Sequence, residues 1–400
     1  MKKVWVFLCV SSLLSAGPVT IYLTLPQDPA HNMSVHWIEK RQGDAYPAIL
    51  YQKENEVEWK RVMQNSLEIL GSSPMTFSYF IKETLITGLE AETLYRFRLD
   101  GDEKIYRFRT LPTSFREPLK IAIGGDFTDN FKICAKMNRV AARKNPDFAV
   151  LGGDIAYAWN KGVNIGARGS YGSVKKWVAF FVEWQKSMIA DGDRMIPVVA
   201  LVGNHDVTPL DREEQGKNAL FFKLFPYEQG TTYRTVDIAG TLSLFLLDTA
   251  HLFPVEGKQT HWLEGALKKN QQISWKVPIY HVPAYPSIGD FQAKTSVLIR
   301  KYWVPLFEQY GVKVAFEHHN HAFKRTYALL KDQIADAGIV YIGDGGWGSS
   351  PRKKIESRFY LETRKASSCF SLLTVTSTSL HVDTYDERDT LIDTWKAKPE

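Results

Sequence analysis

Between residues 125 and 321 the chain repeatedly places metal-binding side chains where an apolar run stops: Gly125-Asp126, Gly153-Asp154-Ile155-Ala156-Tyr157, Gly203-Asn204-His205-Asp206, His281 and His319-Asn320-His321. These groups offer carboxylates, a phenol, an amide oxygen and imidazoles. That mixture suits two hard or borderline cations at one site. The chemistry such a pair performs is hydrolysis: it neutralises an anionic ester and acidifies water.

The runs that must position these groups lie at 119–123, 148–151, 196–202, 276–280 and 312–316, all apolar and rich in β-branched residues, the first three ending at glycine. Helical periodicity fills 131–144 and 173–189 between the first three. Strand, helix, strand, helix, strand predicts parallel pairing, and in such sheets ligands gather outside the carboxyl ends of the strands. The expected fold is an α/β (α+β) β-sandwich flanked by helices, with a βαβαβ core.

Each candidate has a plainer reading. Asp126 and Asp154 are also placed to cap following helices, and a lone histidine such as His281 is commonly structural. Three histidines in four positions, 318 to 321, are harder to explain without a metal or an anion. In an extended segment His319 and His321 share a face, so both reach one site. His318 faces away, as a packing residue beside the site or, alternatively, a substrate contact.

The remaining sequence bounds the class. Four hundred residues suggest about two domains, and the net charge of +6 with a pI near 8.9 is mildly basic. No Lys/Arg block tracks a nucleic-acid backbone, so nucleic acid is not an expected partner. Lys2-Lys3, an apolar stretch at 4–14 and Ser15-Ala16-Gly17 read as a secretory signal over residues 1–16, with no membrane association after its removal. Cys134 and Cys369 are expected as buried free thiols. Residues 17–112 show short alternating stretches without helical periodicity, and Gly88-Leu89-Glu90 followed by Tyr95 and Phe97 resembles a fibronectin type III module with its corner tyrosine. The catalytic domain is expected over 113–400.

The order of these motifs resembles the purple acid phosphatase branch of the metallophosphoesterases. Gly153-Asp154-x-x-Tyr157 and Gly203-Asn204-His205-Asp206 match fully, and His319-x-His321-Ala322-Phe323-Lys324-Arg325 is similar to the family's closing run. The resemblance implies Fe(III) held by Asp126, Tyr157 and His321, and a divalent Fe, Zn or Mn held by Asn204, His281 and His319. Asp154 would bridge them, His205 would be the acid on the substrate side, and Asp206 would orient it. Thr128 and His318 stand where the family has glycines, and Pro278 stands where it has valine.

The implied reaction is acid hydrolysis of a small phosphate monoester by in-line attack of a metal-held hydroxide. Lys161 and Arg168 follow the second motif and are candidate phosphate contacts. A phosphodiesterase or nucleotidase on the same core and a non-catalytic secreted binding protein are the competing readings. The sequence leaves oligomeric state open. The strands at 370–375 and 380–385 are expected to close a second sheet.

Overall fold

A computed structural model of the chain describes residues 17–40, 46–72, 78–116, 118–159, 171–214, 219–225, 227, 230–343 and 345–397. The 1–16 segment, Lys161 and Arg168 lie outside the described residues.

The strands Leu119–Gly124, Phe148–Leu151 and Val198–Ala200 pair in parallel in that order, with helices Phe131–Arg143 and Tyr171–Ser187 as crossovers. Alternation along each strand sorts side chains to two faces. Ile121, Ile123, Phe148 and Val150 point into a core between sheets, whereas Ala122, Ala149 and Leu151 pack with Met137, Val140, Trp177 and Trp184 of the helices. Small residues on the helix side let those tryptophans approach.

A second sheet of seven strands runs in the order Arg234–Ile238, Leu242–Leu247, Trp275–Tyr280, Val314–Glu317, Val340–Gly343, Phe323–Thr326, Leu361–Lys365. Its inner face (Leu244, Leu246, Val277, Ile279, Val314, Phe316) meets the first sheet. Its outer face is covered by Leu263, Leu267, Ile299, Trp303 and Phe307 of further helices. Two sheets packed face to face between helical layers give the expected sandwich.

Two features were not legible in the sequence. The strands Cys369–Val375 and Leu380–Asp386 extend the first sheet rather than closing a second one, Cys369–Val375 pairing antiparallel with Leu119–Gly124. The N-terminal module also joins that sheet: Thr20–Thr24 pairs in parallel with Val198–Ala200 through Thr24↔Val198, so ten strands form one continuous sheet. Pairing between remote strands depends on hydrogen bonds that no local pattern encodes. Within the module, Tyr95 Oη accepts the Glu90 N–H at 2.9 Å, the corner contact anticipated for it. Cys134 and Cys369 are both buried, with no disulfide between them.

Candidate metal centre

Five loops deliver the candidate ligands, all at carboxyl ends of strands and at one end of the sandwich. Asp126, Asp154 with Tyr157, and Asn204 leave the first sheet; His281 and His319 with His321 leave the second. Only the facing of the two sheets makes these loops neighbours.

The side chains form two groups. In one, Asp126 Oδ1 lies 3.0 Å from His321 Nε2, and Tyr157 Oη lies 3.2 Å from that carboxylate oxygen and 3.0 Å from that imidazole nitrogen. In the other, His281 Nε2 lies 3.2 Å from Asp154 Oδ2 and 3.3 Å from His319 Nδ1, and one ligand atom from each of these three residues falls within 4.8 Å of the others. The groups are stitched together by the His319 N–H, which donates to Asp126 Oδ2 at 2.9 Å. The His205 N–H likewise donates to Asp154 Oδ1 at 2.6 Å. Each carboxylate thus spends one oxygen on backbone and turns the other inward.

Whether these residues fit a metal pair can be judged from their unused atoms. Asn204 Oδ1 is buried without a hydrogen-bond partner among the described residues, and an orphaned amide oxygen costs stability unless something coordinates it. Gly152 O, an acceptor only, lies 2.8 Å from His281 Nδ1 and so fixes Nε2 as the nitrogen facing the group. The carboxylates and imidazoles act strongly on one another. Burial lowers the His281 pKa, but Asp154 and then Asp126 more than reverse it, to about 10. Burial and then the charge on His281 push His319 down to about 4. Burial, Asp126 and Asp154 push the Tyr157 phenol far up. Among the described residues the two buried carboxylates are paired with imidazoles rather than with lysine or arginine, and a bound cation would take the place of the protons on those rings. The donor set fits a pair of cations.

Backbone strain is concentrated in the same loops. Asp126 (φ 61°), Asp154 (φ 52°), Tyr157 (φ 47°), His319 (φ 68°) and His321 (φ 47°) all adopt left-handed conformations, which cost non-glycine residues energy and cluster at functional sites. This corrects the reasoning for His319 and His321. They lie in bends, not in an extended segment, and left-handed turns rather than a period of two aim both rings inward. For Asp126 the capping alternative also fails: Asn130 caps the first helix by accepting from Lys132 N and Ile133 N.

Two further expectations need correction. Asp206 does not orient His205 through its side chain: its two oxygens accept from Ile155 N (2.8 Å) and Gly203 N (2.9 Å), tying the second and third loops together. Burial and the nearby Asp154 raise its pKa to about 7. His205 is oriented instead by Trp159 O, 2.8 Å from its Nδ1, and by stacking on Tyr157 with centroids 4.7 Å apart. His318 is 1% exposed, which closes it to a substrate. Its ring occupies the space a Cβ on Gly152 would need, with Nε2 only 2.2 Å from that position.

One contributor went unnoticed in the sequence. The 345–350 loop, Gly-Gly-Trp-Gly-Ser-Ser, follows the strand Val340–Gly343 and closes over the first group. Ser349 Oγ donates to Asp126 O at 3.0 Å and lies 3.2 Å from Tyr157 Oη. The Gly348 N–H donates to Asp126 O at 2.9 Å, and a Cβ there would sit 1.4 Å from Phe127 O. The available signal was a glycine run at a strand end, like those before Asp126 and Asp154.

Comparison with known proteins places this arrangement. Residues 119–323 match the calcineurin-like phosphoesterase family model, and residues 18–110 match the purple acid phosphatase N-terminal domain. The chain belongs to the calcineurin-like phosphoesterases, in their purple acid phosphatase branch. Purple acid phosphatase 15 of Arabidopsis thaliana is 26% identical over 67% of this chain and 54% of its own length. Purple acid phosphatase 18 of the same plant is 23% identical over 85% and 80%. The chain therefore spans about half the length of the first of these relatives. The purple acid phosphatase PPD1 from yellow lupin seeds shares the fold, with a TM-score of 0.72 at 14% identity over 96% of this chain and 74% of that one.

The departures from the branch pattern have local explanations. Thr128 Oγ1 donates to Ile155 O at 2.9 Å, binding the first loop to the second. The bulk of His318 is absorbed by Gly125 and Gly152. Neither replacement removes a candidate ligand.

Proposed function

We propose that this phosphoesterase hydrolyses phosphate monoesters at a two-metal centre, with Fe(III) on Asp126, Tyr157 and His321, and divalent Fe, Zn or Mn on Asn204, His281 and His319, Asp154 lying between. The observation that carries the reading is the convergence of two donor groups from facing sheets, one with a phenol, together with the orphaned Asn204 oxygen. A bound pair of cations supplies charge neutralisation to the ester and an acidified water.

The chain's own residues do the rest. Asp126 and Asp154, each pinned by a backbone N–H, hold their free oxygens in place without reorganisation. Ser349 steadies the Tyr157 phenol. His205, half-buried with Nδ1 held by Trp159 O and Nε2 3.9 Å from Asp154 Oδ2, gives the Nε2 proton to the departing alkoxide, so that ester and water become alcohol and orthophosphate. The apolar 4–14 stretch and Ser15-Ala16-Gly17 support export from the cytoplasm, and among the described residues no helix is long and apolar enough to cross a membrane.

The test is metal analysis and a visible spectrum on one oxidised sample, followed by p-nitrophenyl phosphate turnover across pH. Two metals per chain, a broad visible band lost in Tyr157→Phe and acid-side turnover are expected. Metal without the band would remove the ferric assignment, and preference for a bis-ester would overturn the monoester reading.

A further inference from the structure

The loop that closes over the first ligand group continues into Pro351-Arg352-Lys353-Lys354, three consecutive exposed cations. The attachment of this loop to the candidate ligands fixes where the Arg352 backbone stands, with Lys353 and Lys354 directly after it. Ser349 and Gly348 bond to Asp126 O. Ser368 Oγ donates to Ser349 O at 2.9 Å, and the Arg352 N–H donates to the backbone oxygen of His321 at 2.9 Å. Arg352 is therefore joined directly to a candidate ligand residue.

Among the described residues no carboxylate forms an ion pair with Arg352, Lys353 or Lys354. The acid of the same loop, Glu356, is committed to Arg358, which also donates to Gly289 O. Asp129, exposed on the loop that follows Asp126, makes no ion pair with Arg352 among the described residues. Arg325, by contrast, sits in the second sheet between Glu362 and Asp393. Arg352, bonded through its backbone to His321, and the two exposed lysines that follow it carry positive charge that no carboxylate among the described residues neutralises.

We propose that Arg352, with Lys353 and Lys354, forms an anion-reading rim that selects phosphate esters carrying a second phosphoryl group. This rests on the phosphoesterase reading of the adjoining centre. The scissile phosphate would engage the ligand groups, and the second phosphoryl group would meet the rim, where a guanidinium offers paired donors to a tetrahedral oxyanion.

The experiment uses metal-loaded protein, the R352A variant and the R352A/K353A/K354A variant. One arm compares kcat/KM for glucose 1,6-bisphosphate with that for glucose 6-phosphate. The wild type should favour the bisphosphate by about tenfold or more, as expected when a charged hydrogen bond is added, and the triple variant should bring the ratio near one. Arg352→Lys should keep part of the preference, and rising salt should erode it in the wild type more than in the triple variant. A second arm measures tripolyphosphate and orthophosphate binding by calorimetry and needs no turnover. If neither ester is hydrolysed, the phosphatase reading fails, but a fall of about tenfold in the tripolyphosphate-to-orthophosphate affinity ratio in the triple variant would still support the rim. Ratios equal in wild type and triple variant in the binding arm would overturn it.

Discussion

Two regions of this molecule bury charge, and they do so in opposite ways. In the N-terminal module Lys82 and Glu39, 1% and 3% exposed, face each other at 3.4 Å on adjacent regular strands, and Trp37 Nε1 donates to Glu39 Oε1 at 2.9 Å. A cation and an anion are supplied by the same chain. At the strand ends Asp126 and Asp154, 0% and 1% exposed, have imidazoles and a phenol around them but no lysine or arginine in ion-pair contact, on backbone bent into left-handed turns. The first arrangement balances its charge with a lysine, although Glu39 Oε2 has no hydrogen-bond partner among the described residues; the second balances it with imidazoles, whose nitrogens are also metal donors. Burial alone therefore does not mark a functional site, whereas carboxylates and imidazoles crowded together on strained loops do.

The contrast can be broken most sharply at Asp154. Asp154→Ala should abolish turnover and reduce metal content, measured by elemental analysis of folded protein; wild-type metal content would remove Asp154 from the centre. His205→Ala should keep both metals and lower kcat by about 10²–10⁴, and wild-type turnover would show that another group protonates the leaving alkoxide. Lys82→Ala tests the other region. Leaving Glu39 buried and unpaired should cost about 3–5 kcal/mol of unfolding free energy while metal content per folded chain stays at the wild-type value. A loss of metal there would mean that the two regions are coupled through the continuous sheet.

The smallest effect concerns acid. Burial lowers the pKa of His36 to about 3 from its ordinary 6.5. An unfolded chain therefore takes up a proton below pH 6.5 that the folded chain refuses until about 3. The contribution of His36 to stability is full above 6.5 and declines as pH falls through that window, by up to about 1.4 kcal/mol per pH unit. Urea unfolding at pH 7 and pH 4.5 should show a smaller loss for His36→Gln than for the wild type, and equal losses would mean that His36 is not the group responsible.

Much of the site could be read early because strand-end ligands leave a local trace: glycine, an acidic or amide residue and a following histidine need no knowledge of what packs against them. Asp126, Asp154, Tyr157, Asn204, His281, His319 and His321 are brought together as their types suggested, although the reason given for the last two, an extended backbone, was incorrect. Asp206 was misread as orienting His205, and the substrate contact offered for His318 fails while its packing reading stands, because a sequence shows what a side chain can do but not which atoms the fold has already engaged. Ser349 was missed because serine after glycine is ordinary in a loop, and only its contact with Tyr157 gives it meaning.

What the sequence by itself determined is the set of elements and the chemistry at their ends, since apolar alternation, turn residues and donor types are properties of neighbouring positions. What only the tertiary structure decided is which strands adjoin. The fusion of the N-terminal module through Thr24↔Val198, the placing of Cys369–Val375 beside Leu119–Gly124 and the meeting of two ligand groups from separate sheets all follow from long-range pairing and the packing of a shared core. Such contacts are selected by the energy of the whole assembly, and that energy is not written at any one position along the chain.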